Sequence, residues 1–336
     1  MATSGLAGEA EDDFAERCAQ SGVVICVGFD SMNEVASEGQ IRDAQEDNNI
    51  NNPQAVPNNI DGRGNYYPSF DSSVAASGNG SMRITANQVS SANQSGHWIK
   101  GEAGSTPWPQ TFGSGDKIHV QFRWRYNQHW RAVSEGAGGD GNKIVILYGD
   151  KSCGQIESTI QDAYGRGFIQ GYHHCGGLGW EYDAGDYPHK NHNNIVYQFG
   201  PDADDPLCLY RQYDDLDDGG GCQLFDAHHN KWWTIYMVID IKQNNAHTDI
   251  YAQRGPGEPV RHVIDFGPYN WGFNDGPMEN LMFTMYHTDK GTGNHPLLHA
   301  WYDELIISSE PIAWPGGAAP PVTTIPNPPV ILAGGQ

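Results

Sequence analysis

Cations are scarce in this chain. Lys and Arg number 19 against 41 Asp and Glu, leaving a formal net charge of -22 over 336 residues. Nucleic acid and anionic membrane surfaces are held by clustered cations that displace counterions, so neither is expected as a partner. Long apolar runs are missing too. Nothing approaches the roughly 18 consecutive apolar residues that a membrane-crossing helix needs, and no membrane insertion is expected. The opening residues, Met1 to Glu16, are small and acidic rather than basic and then apolar, unlike a secretory leader. A P-loop, a dinucleotide fingerprint and a Gly-x-Ser-x-Gly nucleophile elbow are all absent. The histidine pairs 173/174 and 228/229, with His287 and His295, show no zinc-like spacing with a third ligand nearby. No catalytic metal is expected.

What is abundant is turn chemistry and aromatic surface: 42 Gly, 20 Pro, 10 Trp, 16 Tyr and 11 Phe. Gly and Pro supply turn dihedrals and aromatics suit a pleated sheet, which predicts an all-β protein. Residues 8–20 read as a short helix with acids in its first turns, and Val23 to Phe29 as a strand. Residues 31–68 are polar with little periodicity and are predicted to be a long surface excursion. Strands then recur at 81–86, 97–100, 116–126, 142–148, 155–160, 166–174, 194–199, 231–241, 247–253, 259–266, 281–287 and 299–308. No blade-length repeat is visible, so a two-sheet antiparallel sandwich is favoured over a propeller. The tail from Pro311 is rich in proline, and alone it should be extended and disordered. The domain reading is an N-terminal segment 1–21, a sandwich domain 22–312 and a tail 313–336.

Six cysteines, four of them in Gly-rich or polar surroundings, suggest disulfides. Pairings Cys153–Cys175, Cys208–Cys222 and Cys18–Cys26 each close a short loop, among fifteen connectivities that six cysteines permit. Buried free thiols are the alternative. Disulfides without a leader fit a particle assembled in a cytosol and released by lysis, a chain whose leader has been removed, or another export route, so an extracellular or virion location is expected.

Candidate chemistry sits in three places. On the strand ending at Tyr126, Ile118, Val120, Phe122, Trp124 and Tyr126 share one face, while His119, Gln121, Arg123 and Arg125 share the other. That second face is a cationic strip suited to a carboxylate, or an ordinary outer face whose arginines pair with neighbouring acids. Lys143, Gln155, Glu157, Gln170, Tyr172 and His174 line one surface if the strand register allows. Tyr286, His287, Lys290, Asn294 and His295 form a polar loop ahead of the strand beginning at His299. Tyr286, His287, Glu157 and His174 are candidate proton acceptors for a metal-free β-elimination on a uronate. Asp214, Asp215 and Asp217 are oxygen-rich enough for calcium but lack the spacing of an EF-hand loop, so a solvated loop is the better reading.

A family resemblance rests on an ordered series of segments. These are Gly22-Val-Val-Ile-Cys-Val-Gly-Phe-Asp30, Ser77-Gly-Asn-Gly-Ser-Met-Arg-Ile84, Gln121-Phe-Arg-Trp-Arg125, Gly165-Arg-Gly-Phe168, Tyr286-His-Thr288, Asn294-His-Pro296 and Trp301-Tyr-Asp-Glu-Leu-Ile-Ile307. The series resembles a group of uncharacterised concanavalin A-like jelly-roll proteins of bacteria and tailed phages, over roughly residues 22–312. The resemblance implies a two-sheet jelly roll with one concave face, an architecture shared by lectins, glucanases and polysaccharide lyases. Two departures bear on activity. The Glu-x-Asp-x-x-Glu strand of retaining glucanases is missing, and Gln155-Ile156-Glu157 has Glu where alginate-lyase-like members carry His. Binding is therefore expected ahead of catalysis. The reading is a glycan-binding structural or adhesive protein, part of a homo-oligomer or larger assembly. Its concave face would bear Arg123, Arg125, Lys143, Tyr172, Tyr286, His287, Asn294 and His295. A polysaccharide lyase and a purely structural decoration protein are the alternatives, and no cofactor beyond calcium is in view.

Overall fold

The computed structural model describes residues 12–42, 60, 66–86, 96–101, 106–129, 142–149, 157–162, 169–174, 194–195, 229–242, 246–269, 277–287 and 296–317. Two helices are found among them, α1 at residues 12–18 and α2 at Met32–Glu38. The strands are β1 (Val23–Val27), β2 (Gln40–Arg42), β3 (Ser69–Asp71), β4 (Ser81–Ala86), β5 (His97–Lys100), β6 (Lys117–Tyr126), β7 (Asn142–Gly149), β8 (Glu157–Asp162), β9 (Ile169–His174), β10 (Asn194–Ile195), β11 (Trp233–Asp240), β12 (Ala246–Gln253), β13 (Arg261–Tyr269), β14 (Met278–His287) and β15 (Leu298–Ser308). They build the expected antiparallel jelly-roll sandwich. Sheet A runs β13-β12-β11-β6-β15-β4-β3 with β1 also paired to β15, and sheet B runs β10-β9-β8-β7-β14-β5-β2.

The period of two fixes which side chains meet between the layers. Ile118, Val120, Phe122, Trp124 and Tyr126 of β6 all enter the core, as expected. Trp233, Ile235, Met237 and Ile239 of β11 join them, as do Tyr302, Leu305 and Ile307 of β15. Sheet B answers with Trp98, Val145, Leu147, Leu281, Phe283 and Met285. Phe283 stacks on Tyr302 at 4.3 Å between ring centroids and meets Phe122 edge-on at 5.1 Å. Burying each such side chain stabilises the fold by about 1.5–3 kcal/mol, which makes this aromatic seam the principal glue between the layers.

One prediction is corrected early in the chain. Residues 31–68 do not form an unbroken excursion, because α2 and β2 lie within them. The signal is local: Ser31 caps α2 by accepting from the Glu34 N–H at 3.1 Å, and the Glu34 carboxylate accepts from the N–H groups of Gly28 and Asp30 at 2.8 and 2.7 Å. A Ser-x-x-Glu spacing of this kind marks a helix start. Gly39 follows α2, and only glycine fits there because a Cβ would stand 2.4 Å from the Trp98 ring. The Trp98 indole in turn donates to the Val35 carbonyl at 2.9 Å.

A second apolar layer lies outside sheet A. Phe14 of α1 packs with Tyr236, Val238, Tyr251, Ile306, Ile312 and Trp314. The start of the proline-rich tail is thus packed, with Trp314 only 1% exposed. Cys18 of α1 is bonded to Cys26 of β1, as expected. The other two proposed pairs, Cys153–Cys175 and Cys208–Cys222, fall outside the described residues, as do Asp214, Asp215 and Asp217.

Candidate functional site

Register sets the polar candidates of sheet B in rows across adjoining strands. Across antiparallel strands, residues paired in the register share a face. Glu157 of β8 pairs with Tyr148 of β7 and with His174 of β9, making one row. Thr159 pairs with Ile146 and with Tyr172, making the next. Gln161 pairs with Lys143 and with Gln170, and Lys143 also pairs with Tyr286 of β14. Three strand spacings separate the Tyr286 position from Gln170, about 14 Å, and four residues separate Glu157 from Gln161, about 13 Å. Lys143, Glu157, Gln170, Tyr172, His174 and Tyr286 therefore fall on four adjoining strands. Gln155, Asn294 and His295 lie outside the described residues, and His287 is placed by its pairing with Asn142.

Lys143 reaches this face only because β7 breaks its alternation. Val145 and Leu147 point into the core, so Lys143 would follow them in an unbroken strand. The register instead slips between Lys143 and Val145, and Ile144 takes the additional core position. β14 slips opposite it, between Phe283 and Tyr286. A β-bulge of this sort re-aims the side chains beyond it. The bulge is held from the other layer: the Tyr302 hydroxyl lies 2.9 Å from the Ile144 carbonyl and 2.8 Å from that of Thr284. Burial pushes the Tyr302 phenol well above its ordinary range, so it stays protonated and keeps its donor.

The floor beside these rows is apolar and covered. Ile99, Ile146, Tyr148 and Met282 cluster on the outer side of sheet B and are 0–9% exposed. Their burial explains why β7 reads as a continuous apolar run. Half-buried Lys143 stands at the margin of this floor. His97 and Thr284 add a buried hydrogen bond at 2.8 Å on the same side.

The structure does not place Arg123 and Arg125 on this face. Both extend from the outer side of β6 in sheet A, with the sandwich between them and Lys143. The single surface expected to hold all eight glycan-binding candidates is corrected to two surfaces. Period-two alternation sets a residue's face within its own strand, but sheet membership is set by long-range pairing. Arg123 is only 5% exposed, beside Arg17, Asp303 and Glu304, and burial lowers its pKa against the pull of Glu304. Arg17 of α1 is tied to Glu304, to Asp13 at 3.0 Å and to Gln121 at 2.7 Å. Glu304 sits at φ 48 in a β15 irregularity, a conformation that side chains other than Gly rarely adopt.

Arg125 lies over the Trp301 ring, 5.4 Å from its centroid. Trp301 donates to Asp71 at 3.0 Å, and Arg83 pairs with the same carboxylate at 3.2 Å. Burial pushes the Asp71 carboxyl up, but bonds from Ser73 and Trp301 and the Arg83 charge outweigh it, leaving the group below its usual range. Asp303 behaves oppositely: burial and the Glu304 charge raise it well above the carboxylate range despite the Ala76 N–H at 2.7 Å.

No protein-family model and no curated protein matches the sequence. Among solved structures, the chain is similar to a botulinum neurotoxin serotype D/C VPI 5993 binding domain, at 10% identity and TM-score 0.38 over 82% of this chain. The chain spans half the length of that neurotoxin chain. It is also similar to alginate lyase Aly36B, at 13% identity and TM-score 0.35 over 68% of this chain and 81% of the lyase. An alginate lyase, vAL-1, from Chlorella virus gives 10% identity and TM-score 0.36 over 68% and 84%. Likenesses this distant assign no residue role to this chain.

Proposed function

We propose that this protein binds an acidic glycan across the β14–β7–β8–β9 part of sheet B. The observation that supports this best is the register, which pairs Tyr286 with Lys143 and Glu157 with His174 and sets Tyr172 one row from the second pair. A cation, a carboxylate, an imidazole and phenols spaced over about 14 Å suit a sugar chain better than a compact small ligand. The sequence resemblance to jelly-roll proteins points the same way. An extracellular or virion-associated setting, within an assembly, goes with this reading. Retardation of the protein in gels containing a polyuronate, but not a neutral glucan, is the expected result. Equal mobility in both gels would remove the reading.

One observation favours a second reading, a polysaccharide lyase. Lys143 pairs in the register with Tyr286, a base candidate from the sequence. In this reading the Tyr286 phenolate would take the proton α to the uronate carboxylate. The electron pair would form a C=C bond as the bond to the β-glycosidic oxygen breaks, and that oxygen would leave with a proton. The unsaturated product absorbs in the ultraviolet. Rising absorbance with a polyuronate would select the lyase, and retardation without it would select simple binding.

A further inference from the structure

The outer side of sheet A holds buried polar groups with nothing to bond, and they converge by register. Gln253 pairs with Thr234, Thr234 with Arg123, and Arg123 with Asp303, forming one row. Arg125 and its partner Trp301 form the neighbouring row. Trp232 precedes core-facing Trp233 and so falls on the outer side next to Arg125. Among the described residues, Nε of Arg123, Nε of Arg125, Oγ1 of Thr234 and Oε1 of Gln253 are buried and lack a hydrogen-bond partner. Arg123 is 5% exposed, Thr234 0% and Gln253 1%. Unmet buried groups are rare because each costs about 1–3 kcal/mol, and four in adjoining rows call for a common partner.

The chemistry of that partner follows from what is unmet. Two guanidinium nitrogens ask for an acceptor, the Gln253 carbonyl oxygen asks for a donor, and the Thr234 hydroxyl takes either. The charges around them point to an anion. Glu304 is engaged by Arg17, and Asp71 is engaged by Arg83 and Trp301. Asp303 is held by the Ala76 and Glu304 N–H groups at 2.7 and 2.8 Å. Positions i and i+2 on a strand lie about 6.6 Å apart, close enough for Arg123 and Arg125 to grip one oxyanion. Arg125 is pre-set by Trp301, and the segment above is fixed by the Trp232 indole donating to the Ala75 carbonyl at 2.7 Å.

We propose that Arg123 and Arg125 form a second site, separate from the sheet B surface, that receives the carboxylate of an acidic sugar while Thr234 and Gln253 bond one of its hydroxyls. This inference stands on geometry of its own and does not need the sheet B reading.

The test is titration calorimetry of the full chain with glucuronate, glucose and sulfate. Saturable glucuronate binding is expected, with no glucose binding and weaker sulfate binding. Arg125→Gln should weaken glucuronate binding at least tenfold. Thr234→Val, which keeps shape and fold, should weaken glucuronate severalfold and leave sulfate unchanged. Lys242→Gln, which removes a cation just past the end of β11 remote from Thr234, should change neither. Sulfate bound as tightly as glucuronate, with Thr234→Val silent, would overturn the sugar. Absence of any binding, or an experimental map with ordered waters satisfying all four groups, would overturn the site, whatever the outcome for sheet B.

Discussion

Replacing Tyr302 with Phe isolates the contact on which the sheet B surface depends. The ring would keep its stacking on Phe283 at 4.3 Å and its core position, so no cavity opens. Only the hydroxyl goes, and with it the one proton shared between the carbonyls of Ile144 and Thr284, at 2.9 and 2.8 Å, in a fully buried region. Leaving such buried acceptors unmet costs about 1–3 kcal/mol. The loss should appear in urea melts as a lower midpoint at unchanged slope. Because both carbonyls belong to the bulge that turns Lys143 outward, amide exchange should rise around Lys143–Ile146 in β7 and Phe283–Met285 in β14. Glycan affinity should fall severalfold although Tyr302 lies in the core, away from that face. A stability change below about 0.5 kcal/mol, with exchange unaltered across the bulge, would refute the reasoning.

Other consequences follow from buried polar groups. Arg17→Met removes one partner of an ion pair in which both side chains are 2% exposed, and should destabilise by about 3–5 kcal/mol. Adding Glu304→Gln should recover part of that loss, and simple additivity in the double-mutant cycle would contradict the pairing. His119, in hydrogen-bond contact with the Tyr236 hydroxyl at 2.8 Å, is lowered to about 4 by burial and by the nearby Lys117 charge. It is neutral in the native state but takes a proton on unfolding below about pH 6.5, so its stabilising effect is full above that value. That effect is lost as pH falls toward about 4, with a slope of at most about 1.4 kcal/mol per pH unit. His119→Gln should flatten urea stability across that window, and an unchanged pH profile would contradict the assignment.

Strands with clear alternation were legible from sequence. The stretches 81–86 and 97–100 coincide with β4 and β5, and the β6 face entered the core residue for residue. α2 escaped because Ser31 and Glu34 sit inside a polar stretch where composition outweighed the capping signal. The sheet B rows were partly legible as residue types, but their alignment depends on a bulge at Ile144 that no local pattern announces. The arginine strip occupies one face of one strand, as alternation predicts. Its assignment to the surface of Lys143 failed because β6 and β7, neighbours in sequence, enter different sheets. Arg17, Thr234 and Gln253 went unnoticed, since nothing in their neighbourhoods signals burial of a polar group.

The most direct measurement is calorimetric titration of an oligouronate into the Arg125→Gln chain, which lacks the second site, alone and with Lys143→Gln or Tyr286→Phe added. Saturable binding by Arg125→Gln that drops at least tenfold in each double variant, with urea melts unchanged, is what the account predicts. Binding that is undiminished in both double variants, or absent from Arg125→Gln alone, would contradict it.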